Sequence, residues 1–147
     1  FAAEALVGQA VGARSRPALV NAIRVTTLLA VLTALIYVIV YAVFGASIIA
    51  LLTTLEEVRT MAGRYLPWLV VMPLLAVWSY QLDGIFIGTL QTAEMRISML
   101  VSTGLYLVAA YFAINGYGNH GLWFSLGLFF CLRAITLGAY LRYRFPI

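Results

Sequence analysis

From Val25 to Leu55 the chain carries no charged side chain, and the run is built largely from Leu, Ile, Val, Ala and Thr. A helix needs roughly 20 residues to cross a hydrocarbon core of ~30 Å, so this stretch is long enough to span a bilayer with residues to spare. Composition extends the constraint to the whole chain. Of its 147 residues 64% are hydrophobic and only 10% charged, against about 25% charged in an ordinary soluble domain. A soluble domain of this size still exposes roughly 30% of its unfolded-chain surface, which so few charges cannot cover. Lipid must replace water over much of the surface, and an all-α membrane protein is expected.

Four full spans are expected, at about 25–44, 65–90, 97–114 and 122–140. The predicted connections are the polar segment Thr53 to Glu57, a turn around Glu94 to Arg96, and the Gly- and Asn-rich Asn115 to His120. The opening FAAEALVGQAVGA resembles the last turns of another helix, over about 1–13, and reads as a truncated span. The basic start and cleavage site of a signal peptide are missing from it. The expectation is a fragment of a larger membrane protein.

Arg14, Arg16, Arg24, Arg96, Arg142 and Arg144 fall at one set of span ends, Arg59 and Arg64 at the other. The positive-inside tendency then makes the first set, and with it the C-terminus, cytoplasmic. Basic residues gathered at one leaflet account for the net charge of +4 with no nucleic-acid partner, and no nucleic-acid module is recognisable. Cys131 is the single cysteine and His120 the single histidine, so neither an internal disulfide nor a metal-ligand spacing arises. No nucleophile–base set is legible, which argues against an enzyme. No cofactor is expected.

Asp83 interrupts a segment otherwise uncharged from Tyr65 to Ala93. A charge inside a span costs at least ~3 kcal/mol on insertion scales and usually faces a protein interior or a watery cavity, where it handles ions, protons or substrate. On a helix Ser79, Tyr80 and Ile87 share its face; they are candidate cavity-lining residues, with Ser79 and Tyr80 able to donate hydrogen bonds to the carboxylate. Gln81 falls on another part of the helix surface. Arg133, about twelve residues into the last span, needs a counter-ion, and Asp83 and Glu4 are the candidates. Pairing for structure alone is the competing reading of Asp83. Gly8 with Gly12, and Gly84 with Gly88, form small-residue faces that let helices approach closely. Pro67 and Pro73 can bend the second span. Tyr65, Trp68, Tyr117 and Trp123 read as interfacial aromatics.

The segments FAAEALVGQAVGAR, YLPW, QLDGIFIGT with the following EMR, and GNHGLW with the following LRAITLGAYL resemble the C-terminal half of a multidrug and toxic compound extrusion transporter of the DinF-like branch. The resemblance covers essentially the whole chain. It implies part of a six-helix lobe in a twelve-helix protein, namely the end of helix eight and helices nine to twelve. It further implies export of cationic or amphipathic compounds in exchange for protons or sodium ions, an N-terminal lobe of the same protein as partner, and residence in a bacterial-type inner membrane. Asp83 matches an acidic position of the tenth helix. Two alternatives stand beside it: a lipid-carrier flippase of related fold, for which a strongly cationic cavity would be expected and only Arg133 is available, and a non-transporting membrane scaffold.

Overall fold

The computed structural model describes residues 1–144. It consists of five helices, α1 (Ala2–Gly12), α2 (Arg16–Leu52), α3 (Glu56–Gly88), α4 (Thr92–Tyr117) and α5 (Asn119–Arg144). The last four are long and apolar enough to cross a membrane. Each is longer than its expected span, because backbone hydrogen bonding continues past the apolar stretch into polar flanks, although α3 stops at Gly88, two residues before the expected end. At ~1.5 Å per residue, α2 is about 55 Å long and α3 about 50 Å.

Local chemistry sets the helix ends. The Ser15 side chain accepts from the Ala18 N–H at 3.3 Å, and Pro17 occupies the first turn of α2, where its missing N–H costs nothing. At the other end Arg59 reaches back from α3. Its Nε donates to the Thr53 carbonyl at 2.8 Å and its Nη2 to the Ala50 carbonyl at 2.9 Å, so a cation satisfies the last carbonyls of α2. Helix α3 continues through both Pro67 and Pro73.

Two connections are shorter than expected. The α3–α4 reversal is Thr89 to Gln91, with Leu90 at φ 59°, and Glu94 lies already in the first turn of α4. The predicted six-residue turn from Asn115 to His120 collapses to Gly118 at φ 58°. One residue suffices because glycine enters the left-handed region without steric cost. The following Gly121 packs so closely that a side chain there would overlap the Ala113 carbonyl.

Helix α3 is central and packs on all four others among the described residues. It runs antiparallel to α2, with Leu66 against Gly45 near one end and Gln81 against Thr26 near the other. It runs parallel to α5, from Trp68 beside His120 to Asp83 beside Arg133. Against α1 the two glycines of GIFIG make the contact: a Cβ on Gly84 would lie 2.9 Å from the Ala3 Cβ, and one on Gly88 would lie 2.8 Å from the Glu4 carbonyl oxygen. Gly8 faces Gly88 in return. Gly12 has nothing within 4 Å of an added Cβ, so the first small-residue pair contributes through one member only.

Leu28, Leu32, Ile36, Ile39 and Val43 of α2, and Leu100, Leu107, Tyr111 and Phe112 of α4, remain exposed. Apolar faces of that extent are incompatible with water and match lipid or further transmembrane helices. The protein is an integral membrane protein. Several helical hydroxyls are satisfied locally: Thr26 donates to the Ala22 carbonyl, Thr33 to Leu29, Ser125 to Gly121 and Thr136 to Leu132, each one turn back along its own helix.

Candidate functional site

Asp83 and Arg133 meet between α3 and α5. Arg133 Nη2 donates to Asp83 Oδ1 at 2.5 Å, and the two side chains are 7% and 16% exposed, respectively. Of the two counter-ions considered for Arg133, the fold selects Asp83. Parallel packing of α3 on α5 puts the two residues at the same level, whereas α1 approaches α3 on the face of Gly84 and Gly88, carrying Glu4 there. No ion pair joins Glu4 to Arg133 among the described residues.

The rest of the Arg133 fork is weakly held. Nη1 points at the Met99 sulfur of α4 at 3.0 Å, a weak acceptor. The guanidinium carbon lies 5.8 Å from the Phe129 ring centroid, and Nε is buried with no partner among the described residues. One turn toward the C-terminus of α5, Thr136 shares a 2.6 Å hydrogen bond with Ser98 of α4, which fixes the α4–α5 register beneath the pair.

Other candidate residues take separate places. Ser79 is completely buried, and its Oγ has no partner among the described residues, so it does not donate to Asp83 as expected. Tyr80 is 64% exposed and rests on Phe130 of α5, with ring centroids 5.8 Å apart; no hydrogen bond joins it to Asp83 among the described residues. Ile87 is half-buried. Helix α3 ends at Gly88, so Asp83 lies about 8 Å from its end.

A cavity of about 530 Å³ opens between α2 and α3, with Phe1 at its edge and Tyr37, Tyr41, Pro73, Tyr80 and Gln81 among its lining. Of the expected cavity residues it includes Tyr80 and excludes Ser79, Asp83 and Ile87. Its polar feature is one that sequence reasoning set aside. Gln81 Nε2 donates to Thr26 Oγ1 at 2.8 Å and to Thr27 Oγ1 at 3.1 Å. The available signal was the need of a primary amide inside an apolar span for a partner on another helix, and the adjacent hydroxyls of Thr26 and Thr27 could supply one. At the opposite end of α3, Trp68 Nε1 donates to His120 Nδ1 at 3.0 Å, and the Tyr65 ring lies 4.8 Å from the imidazole. Tyr65 and Trp68 thus join α3 to the start of α5. Among the described residues no group of His, Cys, Asp and Glu could hold a metal ion.

Comparison with known proteins decides the lineage of this arrangement. The MatE signature matches residues 1–112. The chain belongs to the MatE family. Over 142 residues, 97% of its length, this MatE chain is also 40% identical to the DNA damage-inducible protein F of Escherichia coli strain K12. The match covers 31% of that relative. No solved structure matches the chain significantly.

Proposed function

We propose that this MatE chain contributes helices of the C-terminal lobe to a secondary active efflux transporter. The transporter exports cationic or amphipathic small molecules by antiport against protons or sodium ions. Family membership supports export, and the Asp83–Arg133 pair carries the ion-coupling part of the reading. A transporter exchanging cations needs an anionic group inside the membrane that can be neutralised in more than one way, and Asp83 is a carboxylate within a membrane-crossing helix, already neutralised by a movable side chain.

In this reading an N-terminal lobe of the same protein completes the substrate path, and alternating access comes from rocking of the two lobes, as in other repeat-built transporters. Tyr80 and Ile87 face that path, Ser79 supports the wall behind it, and Glu4 stands at the α1–α3 seam as a secondary acidic group. The protein resides in a bacterial-type inner membrane with its C-terminus cytoplasmic, on the argument of the arginine distribution. It acts as a transporter and not an enzyme, without an organic cofactor or a nucleic-acid partner.

The burial of the pair favours a second reading, in which Asp83 and Arg133 only hold α3 to α5. Efflux of a fluorescent organic cation from proteoliposomes containing the whole protein, driven by an imposed proton or sodium gradient, separates the two. Asp83→Asn is expected to abolish gradient-driven efflux at equal folded amount. Unchanged efflux and ion dependence would reduce the pair to a structural role.

A further inference from the structure

Three buried side-chain polar atoms lack a partner among the described residues: Ser79 Oγ, Ser102 Oγ and Arg133 Nε. Buried polar groups are nearly always hydrogen-bonded, so an orphan next to a buried ion pair calls for explanation. The three share a level. Helix α3 runs toward the cytoplasmic end of the proposed topology and α4 runs back, so Ser79 and Ser102 each lie one turn from Asp83 and Met99 in the same direction. The Arg133 guanidinium extends that way too, since it lies against Phe129, one turn earlier on α5. Arg133 therefore has a strong contact on one side, at Asp83 Oδ1, and two unused hydroxyls on the other.

We infer that Arg133 is a tethered cation occupying the Asp83 site at rest, and that a proton or sodium ion binds there by displacing it toward Ser79 and Ser102. The inference deepens the antiport reading and rests on it for its physiological meaning. Among the described residues Asp83 takes its ion pair from Arg133 of α5, Met99 of α4 meets the other arm of that guanidinium, and the Glu4 backbone of α1 packs against Gly84 and Gly88 farther along α3. Arg133 is the cation among them. Neutralising Asp83 removes the one strong acceptor of the guanidinium, and a buried guanidinium without acceptors is costly. The two buried hydroxyls, partnerless among the described residues, are the replacement acceptors in this reading. Arg133 is thus a positioning residue for the coupling ion, setting how tightly Asp83 holds it.

The test uses the purified whole protein and two measurements. Equilibrium binding is read as proton uptake by an indicator dye and as sodium binding by titration calorimetry, and transport as gradient-driven efflux of a fluorescent cation. Arg133→Gln frees Asp83, and the half-saturating concentration of the coupling ion is expected to fall at least about tenfold, or ~1.4 kcal/mol, while Arg133→Lys stays near the wild type. As a guard against misassembly of Arg133→Gln, the pair Ser79→Ala with Ser102→Ala provides a second arm that leaves the Asp83–Arg133 pair intact. Removing the alternative acceptors is expected to weaken ion binding several-fold.

Unchanged ion affinity in the serine double variant, or in a folded Arg133→Gln, would overturn the inference even if efflux is normal. Absence of both proton and sodium binding in the wild type would overturn it as well. Affinity that responds to Arg133 and to the serines in a protein that exports no cation would sustain the inference and remove the efflux reading.

Discussion

Replacing Asp83 by Ala strands Arg133, and the cost follows from its surroundings. The side chain is 7% exposed. Its other contacts are a thioether, an aromatic ring and an unfilled Nε position, none of which neutralises a full charge. Opposite charges about 4 Å apart attract by ~4 kcal/mol at an effective dielectric of 20, and removing one partner of a buried pair generally costs about 3–5 kcal/mol. Asp83→Ala is therefore expected to destabilise the whole protein by ~3–5 kcal/mol, read by denaturant titration in detergent micelles. Arg133→Leu alone should cost somewhat less, because Asp83 is the more exposed partner at 16%. The double variant should recover most of both losses, since an apolar pair of similar volume is often as stable as the ion pair it replaces. A coupling energy of at least ~2 kcal/mol in the double-mutant cycle is expected. Single variants as stable as the wild type, or costs that simply add, would refute the account of the pair.

Gly88→Ala would drive a methyl group into the Glu4 carbonyl, a backbone atom that cannot rotate away; separating α1 from α3 should cost about 1–3 kcal/mol, whereas Gly104→Ala, with open space around it, should be neutral or stabilise by up to ~1 kcal/mol, both read in the same titration. Gln81→Leu deletes the bonds to Thr26 and Thr27, and a loss of about 1–2 kcal/mol is expected; a rise in stability would show that the amide is tolerated rather than needed. Leu90 holds φ 59° in an exposed turn, so Leu90→Gly should raise thermal stability by ~1 kcal/mol, and a fall would mean that the side chain makes contacts outweighing the backbone cost.

Much of the architecture was legible because a membrane leaves few options. Backbone groups in hydrocarbon must bond within their own helix, so uncharged stretches such as Val25 to Leu55 announce helices without any knowledge of their neighbours. Their ends were less legible. Hydropathy marks where lipid stops, but the helix stops where a cap or a left-handed residue ends the bonding, as at Ser15 and Gly118. The close approach at Gly84 and Gly88 was foreseen from the residue types, but their partner helix was not.

By itself the sequence determined that the chain is helical and membrane-embedded, that it carries a carboxylate at Asp83 and a guanidinium at Arg133 within apolar helices, and that its motifs are those of MatE proteins. Only the tertiary structure decided which charges meet. The choice of Asp83 over Glu4 for Arg133 depends on the parallel alignment of α3 and α5, a relation between residues 50 positions apart. The role of Gln81 depends in the same way on antiparallel α2, 55 positions away. Helical periodicity gives a residue's direction on its own axis, but the neighbouring helix and its vertical offset follow from packing of all the helices at once. For that reason Ser79 and Tyr80, drawn to Asp83 by periodicity, occupy a buried interface and a cavity wall instead.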